Sequence, residues 1–212
     1  ADDPELEGVR PDLPGLETRE IVKGYRFWLM LAAFALISFG VGGLLPNFVR
    51  LLISKNISAG EAASYASFIG LSVLFGRAFA GYLLDRIWAP IVAVLFLSVP
   101  AIGCFILLGE TTSSTTGIIA AICLGLSAGA EFDLIAYMCT RYFGLKNYGF
   151  VYSLQYASFG FFSGITPAIF GRVFVQTGSY DPILTVSAAL FLIGPLLLFG
   201  LGRYPDLSAP DA

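Results

Sequence analysis

The 212-residue sequence contains no histidine and only three cysteines. The lack of histidine excludes a Ser-His-Asp triad and a Cys-His nucleophile pair. Cys104, Cys123 and Cys139 lie in apolar runs without the close pairing that is typical of zinc sites. We therefore expect no metal site and no cofactor, and the absence of a recognisable nucleophile and base argues against an enzyme.

Charged side chains are also scarce. They make up 13% of the residues, whereas 57% are hydrophobic and the mean hydropathy is +0.80. A soluble domain carries about 25% charged residues, and a core of this size cannot hide so much apolar surface from water. Seven of the fifteen acids lie between Asp2 and Glu20, and the rest of the chain has no basic patch for nucleic acid. The composition predicts a protein embedded in membrane lipid.

Six apolar stretches are long enough to cross about 30 Å of hydrocarbon as helices of about 20 residues. They cover residues 27–53, 61–84, 90–109, 116–140, 148–174 and 182–202. The polar and apolar alternation of a membrane β-barrel does not recur. We therefore predict an all-α membrane protein with an acidic linker at residues 1–26 and a short tail at 203–212. The proline-rich start lacks the features of a signal peptide and is interpreted as a linker within a longer protein.

Lysine and arginine favour one side of the predicted spans. The terminal segments and the second and fourth loops hold eight of the twelve, the opposite loops hold three, and Arg77 lies inside a span. Positive charge favours the cytoplasmic side, so we expect both termini of this segment to be cytoplasmic. An even number of spans agrees with this orientation. The predicted location is the inner (plasma) membrane of a bacterium, as a multi-pass integral membrane protein.

Several sequence blocks carry a family resemblance. Residues 81–86 (GYLLDR) match the G-x-L-x-D-R start of the loop motif found in each half of major facilitator transporters. Between residues 76 and 180, the blocks GRAFAG, AEFDLIAY, RYFGLKNYGFVYS and FGRVFVQTGSY resemble the oxalate and monocarboxylate transporter branch. The resemblance implies the carboxy-terminal half of a twelve-helix fold, built from two inverted three-helix repeats, which works with an amino-terminal six-helix half. It also implies alternating access and a central site for a carboxylate.

Three ionisable residues lie inside predicted spans, Arg77, Glu131 and Asp133. Inserting each of these side chains into a membrane costs at least about 2.5 kcal/mol, so each requires a structural or functional explanation. A guanidinium can bind a carboxylate through two hydrogen bonds, and Gly70 and Gly81 leave space beside Arg77. In the resembled transporters an arginine at the matching point binds the substrate carboxylate, which implies this role for Arg77. A structural salt bridge to another helix is the alternative.

Glu131 and Asp133 project about 200° apart on their helix, so they cannot serve one point. Asp133 lies at about the depth of Arg77, and we hypothesise that the two pair until substrate or a co-transported proton replaces that pairing. A charge network that holds the cytoplasmic gate is the other candidate role, with the members Glu131, Asp85, Arg86 and Arg141. The sequence leaves open which acid takes which role, and whether both only tie helices together.

An aromatic stripe at helical spacing on the fifth span is a candidate wall for the apolar body of a substrate. The candidate ligands there are Tyr152, Gln155 and Tyr156, to which Tyr137 and Asn47 are added from the fourth and first spans. A lipid-facing or helix-packing surface is the alternative for the stripe.

The chain departs from the resembled branch at two points. Val73 lies one turn before Arg77, where animal-type monocarboxylate carriers have a proton-handling acid, and the fifth span has no basic residue before Arg172. A monoanion is therefore favoured over a dianion. We predict secondary active or facilitated transport of a small organic anion, in particular a monocarboxylate. The alternatives are a membrane sensor or assembly subunit without transport, and a carrier for a neutral or cationic compound with Asp133 as its ligand.

Overall fold

The structure is a computed structural model that describes residues 13–109 and 112–207, which fold into a bundle of helices. Six helical segments are long and apolar enough to cross a membrane. The prediction of an all-α protein with six spans is therefore confirmed for the part of the chain that the structure describes. Residues 1–12 of the predicted linker and 208–212 of the predicted tail lie outside the described residues.

A short helix precedes the first span, and the third span is divided in two. In chain order the helices are α1 (Thr18–Lys23), α2 (Tyr25–Ser54), α3 (Ala59–Leu84), α4 (Ala89–Leu97), α5 (Val99–Ile106), α6 (Ser114–Phe143), α7 (Tyr148–Thr177) and α8 (Asp181–Leu197), and a 3₁₀ turn at Leu198–Leu201 extends α8. The first and second spans are α2 and α3. The third span consists of α4 and α5, and α6, α7 and α8 form the last three.

The local sequence decides where these helices begin, break and end. Ser58 caps α3 by accepting a hydrogen bond from the backbone N–H of Glu61. The third span breaks at Ser98, because Pro100 has no N–H with which to continue the helical hydrogen bonds. Helix α6 continues past the predicted end at residue 140 and stops at Gly144, whose φ of +82° favours glycine.

The helices pack in two groups. Helix α3 lies along α6, α2 packs against α7 and α8, and α5 contacts both α6 and α8. Glycines permit the approach of α3 and α6. A Cβ atom on Gly76 would meet the backbone of Leu126, and one on Gly125 would meet the carbonyl of Ile69. Small residues at these points let the two helix backbones come close together, as in many membrane proteins.

Helix α2 begins and α8 ends at the same face of the bundle, which we call the terminal face. There the guanidinium of Arg26 donates to the carbonyl oxygens of Leu201 (3.1 Å) and Arg203 (3.4 Å). The backbone N–H of Ala89 donates to the hydroxyl of Tyr204 (2.9 Å). The chain after the last span is therefore held against the starts of the first and third spans.

At the opposite face, a buried ion pair joins the ends of three spans. Lys55 follows α2, is 3% exposed and binds both the carboxylate of Asp181 and the carbonyl oxygen of Gly109. The N–H of Gly109 donates to the other carboxylate oxygen of Asp181 at 3.1 Å. Because a buried ammonium is costly unless it is paired, these contacts explain how Lys55 is accommodated.

Residues 14–17, which we call the docked segment, lie against the loop 144–147 between α6 and α7. Four polar contacts hold this segment: Leu16 N–H to the Phe143 carbonyl (3.0 Å), Leu145 N–H to the Pro14 carbonyl (2.9 Å), the Asn147 side-chain amide to the Leu16 carbonyl (2.8 Å), and Lys146 Nζ to Glu17 Oε1 (2.7 Å). Part of the predicted linker thus packs on the bundle, a feature that its composition did not indicate.

Candidate functional site

Arg77 of α3 and Asp133 of α6 form an ion pair within the membrane-spanning region. The Nε atom of Arg77 lies 3.2 Å from Oδ2 of Asp133. At 1.5 Å per residue, both residues lie about 10–15 Å from the ends of their helices at the terminal face. The pairing that the sequence analysis hypothesised is present in the structure.

The close packing of α3 and α6 brings this pair within reach. A Cβ atom on Gly129, one turn before Asp133, would meet the backbone nitrogen of Arg77. By contrast, Cβ atoms on Gly70 and Gly81, which flank Arg77 on α3, would have no neighbour within 4 Å. One side of Arg77 therefore touches α6, and open space remains along the rest of its helix face.

The ion pair leaves much of the guanidinium available. The side chain of Arg77 is 56% exposed, and that of Asp133 is 35% exposed. The contact uses Nε of Arg77, and within residues 13–109 and 112–207 its two terminal nitrogens have no hydrogen-bond partner. A guanidinium with free terminal N–H groups can still bind a carboxylate.

A cavity of about 460 Å³ opens beside Asp133. Its lining comes from the ends of α3 and α6 and the start of α7, and consists of Gly81, Leu84, Asp85, Asp133, Ala136, Tyr137, Thr140 and Tyr148. No lysine or arginine is among these lining residues. The structure therefore brings three predicted site residues, Asp85, Asp133 and Tyr137, to one cavity next to Arg77.

The aromatic stripe on α7 forms a continuous stack. The ring centroids of Tyr148 and Tyr152 are 5.5 Å apart, and Tyr152 to Tyr156 and Tyr156 to Phe159 are each 6.2 Å. Phe132 of α6 contacts the rings of Tyr156 (5.7 Å) and Phe159 (4.8 Å). Since Tyr148 also lines the cavity, the stack extends from the cavity along α7.

Gln155 and Asn47 lie away from this cavity. The side chain of Gln155 is fully buried, and its amide donates to the carbonyl of Phe27 on α2 at 3.5 Å. Asn47 is 4% exposed and donates to the carbonyl of Gly43 in its own helix at 2.9 Å. The structure does not bring these two predicted ligands together with Arg77.

The predicted gate residues do not meet as one network within the described ranges. The guanidinium of Arg86 lies 3.7 Å from the ring centre of Tyr82 and donates to the Tyr82 carbonyl at 3.0 Å. Arg141 lies 4.4 Å from the ring centre of Tyr204. Burial raises the pKa of the Tyr204 phenol, and Arg141 opposes this rise. Asp85 lines the cavity and has no ion pair with either arginine.

Glu131 lies in the interior of the bundle. Its side chain is fully buried, and neither carboxyl oxygen has a hydrogen-bond partner in the described part of the chain. Ser127, one turn earlier on the same face of α6, is also buried without a partner for its hydroxyl. Buried polar groups of this kind are rare enough in proteins that each requires a functional or structural reason.

Thr140 and Tyr148 line the cavity but were not predicted as site residues from the sequence. Thr140 follows Asp133 and Tyr137 on one face of α6. Helical periodicity alone therefore predicts that it lies on the same side of the helix as these two residues. Tyr148 lies one turn before Tyr152 and extends the aromatic stripe by the same spacing. Both residues are therefore recognisable from local patterns once α6 and α7 are known to converge at this cavity.

Two spans leave most of their surface uncovered by the rest of the bundle. In the most apolar 18-residue stretch of each span, the buried share is 28% for α3 and 11% for α7. The corresponding share is 44–61% in the other four spans. These two spans are also the least apolar of the six. Because a span that contacts only lipid is expected to be strongly apolar, the low mean hydropathy of α3 and α7 favours contact of these helices with protein or water.

Comparison with known proteins relates these features to a family. A model of the Major Facilitator Superfamily matches residues 30–212. No curated protein sequence matches the chain.

Two solved structures share the fold. One is an autoinhibited POT family peptide transporter, with a TM-score of 0.68 and 18% sequence identity, aligned over 89% of this chain and 40% of the transporter. The other is the fucose:proton symporter of E. coli, with a TM-score of 0.68 and 17% identity, aligned over 87% of this chain and 45% of the symporter. The chain thus spans less than half the length of these two proteins. At such identities the similarity concerns the fold alone.

Proposed function

Because this chain belongs to the Major Facilitator Superfamily, we propose that it is one half of a transporter for a small organic anion, in particular a monocarboxylate. Transport is secondary active or facilitated, and it proceeds by alternating access between this half and a second six-helix half. The second half is either part of the same polypeptide or a separate chain. In this proposal the protein lies in the inner (plasma) membrane of a bacterium, with both termini of this segment cytoplasmic.

The observation that carries the proposal is the partly open guanidinium of Arg77 inside the membrane-spanning region. It is held at one nitrogen by Asp133, and its terminal nitrogens are free among the described residues. A substrate carboxylate can bind these nitrogens without requiring a new position for the arginine. Its apolar body then lies against the aromatic stack that contains Tyr152 and Tyr156.

Asp133 supplies the coupling step in this proposal. A substrate carboxylate at Arg77 competes with Asp133 for the same positive charge, so binding weakens their ion pair. A proton taken up by Asp133 compensates for the lost partner, and the carrier then acts as a proton symporter. Glu131 is the second candidate for the proton site, because its buried carboxyl has no fixed partner in the described residues.

The second half is proposed to cover α3 and α7. These two spans have the lowest mean hydropathy and the least buried surface of the six, and Arg77 lies on one of them. A partner that packs along these faces encloses Arg77, Asp133 and the aromatic stack in a central cavity. Such a position for the substrate site corresponds to the midplane site of transporters with internal repeats.

The direct test is uptake of radiolabelled monocarboxylates by proteoliposomes that contain the complete protein. Arg77→Gln and Arg77→Lys are expected to lower uptake at least about 100-fold, because a substrate anion loses a charge-assisted, two-point contact. The control is Arg172→Gln, which removes an exposed arginine of α7 outside the cavity lining. Uptake that persists in both Arg77 variants would contradict the anion proposal.

A second candidate is a carrier for a cationic compound, which the cavity lining favours. Asp85 and Asp133 both line the cavity, and no basic residue does. Asp133→Asn separates the two candidates. It abolishes uptake of a cationic substrate, whereas in the anion carrier it leaves binding at Arg77 intact and removes only proton-driven accumulation.

A further inference from the structure

We propose that the chain has a second binding site for an organic carboxylate, formed by Arg50 and the ring pair Phe174–Tyr180 at the face opposite the termini. The proposal rests on the proposed anion transport and extends it. In this arrangement a substrate first binds at the membrane surface and then moves to Arg77.

The site is a cavity of about 400 Å³ between the end of α2, the end of α7 and the turn that follows α7. Its lining residues are Arg50, Ile53, Ser54, Gly171, Phe174, Val175 and Tyr180. Arg50 is the only charged residue among them, and most of the remaining lining is apolar. Such a combination suits a ligand with one negative group and an apolar body.

Arg50 differs from the other basic residues of this face in its surroundings. Lys55 is buried and bound to Asp181, which is the residue after Tyr180 in the chain. Asp181 is therefore already engaged, and Arg50 has no ion pair within residues 13–109 and 112–207. Arg172 is exposed but does not line the cavity. Among the described residues, the cavity thus presents one guanidinium that is not paired with a carboxylate.

The aromatic wall of the cavity is preorganised. Phe174 and Tyr180 stack with their ring centroids 4.6 Å apart and an interplanar angle of 21°. Tyr180 is 3% exposed, and its hydroxyl has no hydrogen-bond partner among the described residues. Burial raises the pKa of the Tyr180 phenol, and the positive charge of Arg50 opposes this rise. A carboxylate between them can accept hydrogen bonds from both groups.

This site is separate from Arg77. Arg50 lies four residues from the end of α2 at the opposite face, and Arg77 lies eighteen residues from the start of α3 at that same face. At 1.5 Å per residue, the two guanidinium-bearing positions differ by about 20 Å in depth. One small carboxylate cannot reach both, so the substrate would occupy the two sites in turn.

The test uses the complete protein in proteoliposomes, with benzoate as a carboxylate that has an apolar ring and acetate as one that lacks it. Arg50→Gln is expected to raise the KM for benzoate entry from the Arg50 side about tenfold and to leave kcat unchanged, because one charge-assisted hydrogen bond is lost. Tyr180→Phe should raise the KM by a smaller factor, and acetate should be affected less than benzoate by both variants. Arg172→Gln is the matched control and should leave the KM unchanged.

Two further measurements keep the outcomes distinct. Arg50→Lys preserves the charge and should retain most of the benzoate affinity. If the KM rises in Arg50→Gln but not in Arg50→Lys, misfolding does not explain the rise. Calorimetric binding of benzoate to the Arg77→Gln variant, which should not transport, isolates the Arg50 site. Binding there that disappears on adding Arg50→Gln supports the second site even if the transport proposal fails.

The proposal is overturned if Arg50→Gln and Arg172→Gln give the same benzoate KM and the same calorimetric binding. It is also overturned if the Arg50 effect appears only in vesicles that contain phosphatidylglycerol and is absent in pure phosphatidylcholine. In that case the occupant is the phosphate of an anionic lipid.

Discussion

At the scale of single residues, Gly129 allows Arg77 and Asp133 to come within ion-pair distance of each other. A Cβ atom at this position would meet the carbonyl of Val73 and the backbone of Arg77, neither of which can move as a side-chain tip can. Gly70, which is exposed on α3, has nothing within 4 Å of its Cβ position. The two glycines therefore differ in what a methyl group costs.

We expect Gly129→Ala to destabilise the protein by about 1–3 kcal/mol through overpacking, and to reduce carboxylate uptake because α3 and α6 separate at the ion pair. The midpoint of thermal unfolding and the uptake rate measure the two effects. Gly70→Ala is the control for overpacking within this half and should not lower the unfolding midpoint. Equal unfolding midpoints for the two variants would show that α3 and α6 do not approach as closely as described.

Glu131 presents a different question, because its carboxyl group is buried without a partner in the described residues. An ionised carboxylate at this place has no ion-pair partner among residues 13–109 and 112–207, and such burial is strongly unfavourable. Glu131→Gln keeps the shape of the side chain and removes the charge.

Glu131→Gln should therefore leave the unfolding midpoint unchanged or raise it by a few degrees, whereas Glu131→Ala should lower it because a cavity remains. Thermal unfolding of both variants in the same detergent is the measurement. A midpoint that falls in Glu131→Gln would mean that the carboxyl has a stabilising charged partner, and the interior placement would then need revision.

At the scale of elements, the loop 144–147 connects three parts of the chain. It joins α6 to α7 and also binds the docked segment, which leads into α1 and α2. The block RYFGLKNYGFVYS, one of those that carry the family resemblance, contains this loop. Its structural role is thus to hold the start of the first span against the end of the fourth.

Gly144 makes this docking possible. Its φ is +82°, and a Cβ atom there would meet the backbone of Gly15 and Pro14. We expect Gly144→Ala to release the docked segment, and trypsin should then cleave after Arg19 several times faster than in the unaltered protein. Gly149→Ala, whose Cβ position has no neighbour within 4 Å, is the matched control. The same cleavage rate in both variants would contradict the role of loop 144–147 as the docking surface.

At the scale of the whole molecule, α3 and α7 set the direction in which the second half is expected. Phe75 of α3 is 53% exposed and Leu95 of α4 is 55% exposed, so this chain alone covers them equally. A second half on α3 and α7 would cover Phe75 and leave Leu95 in contact with lipid.

This difference is measurable by fluorescence quenching in the complete protein. With the native tryptophans of both halves, including Trp28 and Trp88, replaced by phenylalanine, Leu95→Trp should be quenched strongly by brominated lipid chains, and Phe75→Trp should be quenched weakly. Strong quenching at both positions would place lipid on α3 and would contradict the proposed arrangement of the two halves.

Much of this molecule follows from its sequence alone. Hydropathy and the length of apolar runs are local properties, so they determined the six spans and the all-α class. The cost of a charge in lipid singled out Arg77, Glu131 and Asp133 before any contact was known. Helical rise alone also placed Arg77 and Asp133 at a similar depth, which was sufficient to hypothesise their pairing.

Only the tertiary structure decided which helices are neighbours and which way each polar side chain points. The approach of α3 to α6 depends on glycines that meet backbone atoms about fifty residues away, and no local pattern encodes such partners. The same packing turns Gln155 toward α2, encloses Glu131 in the interior and places Arg50 beside Tyr180. A helix pattern fixes a residue's depth and face, but its partner depends on which surface packs against that face.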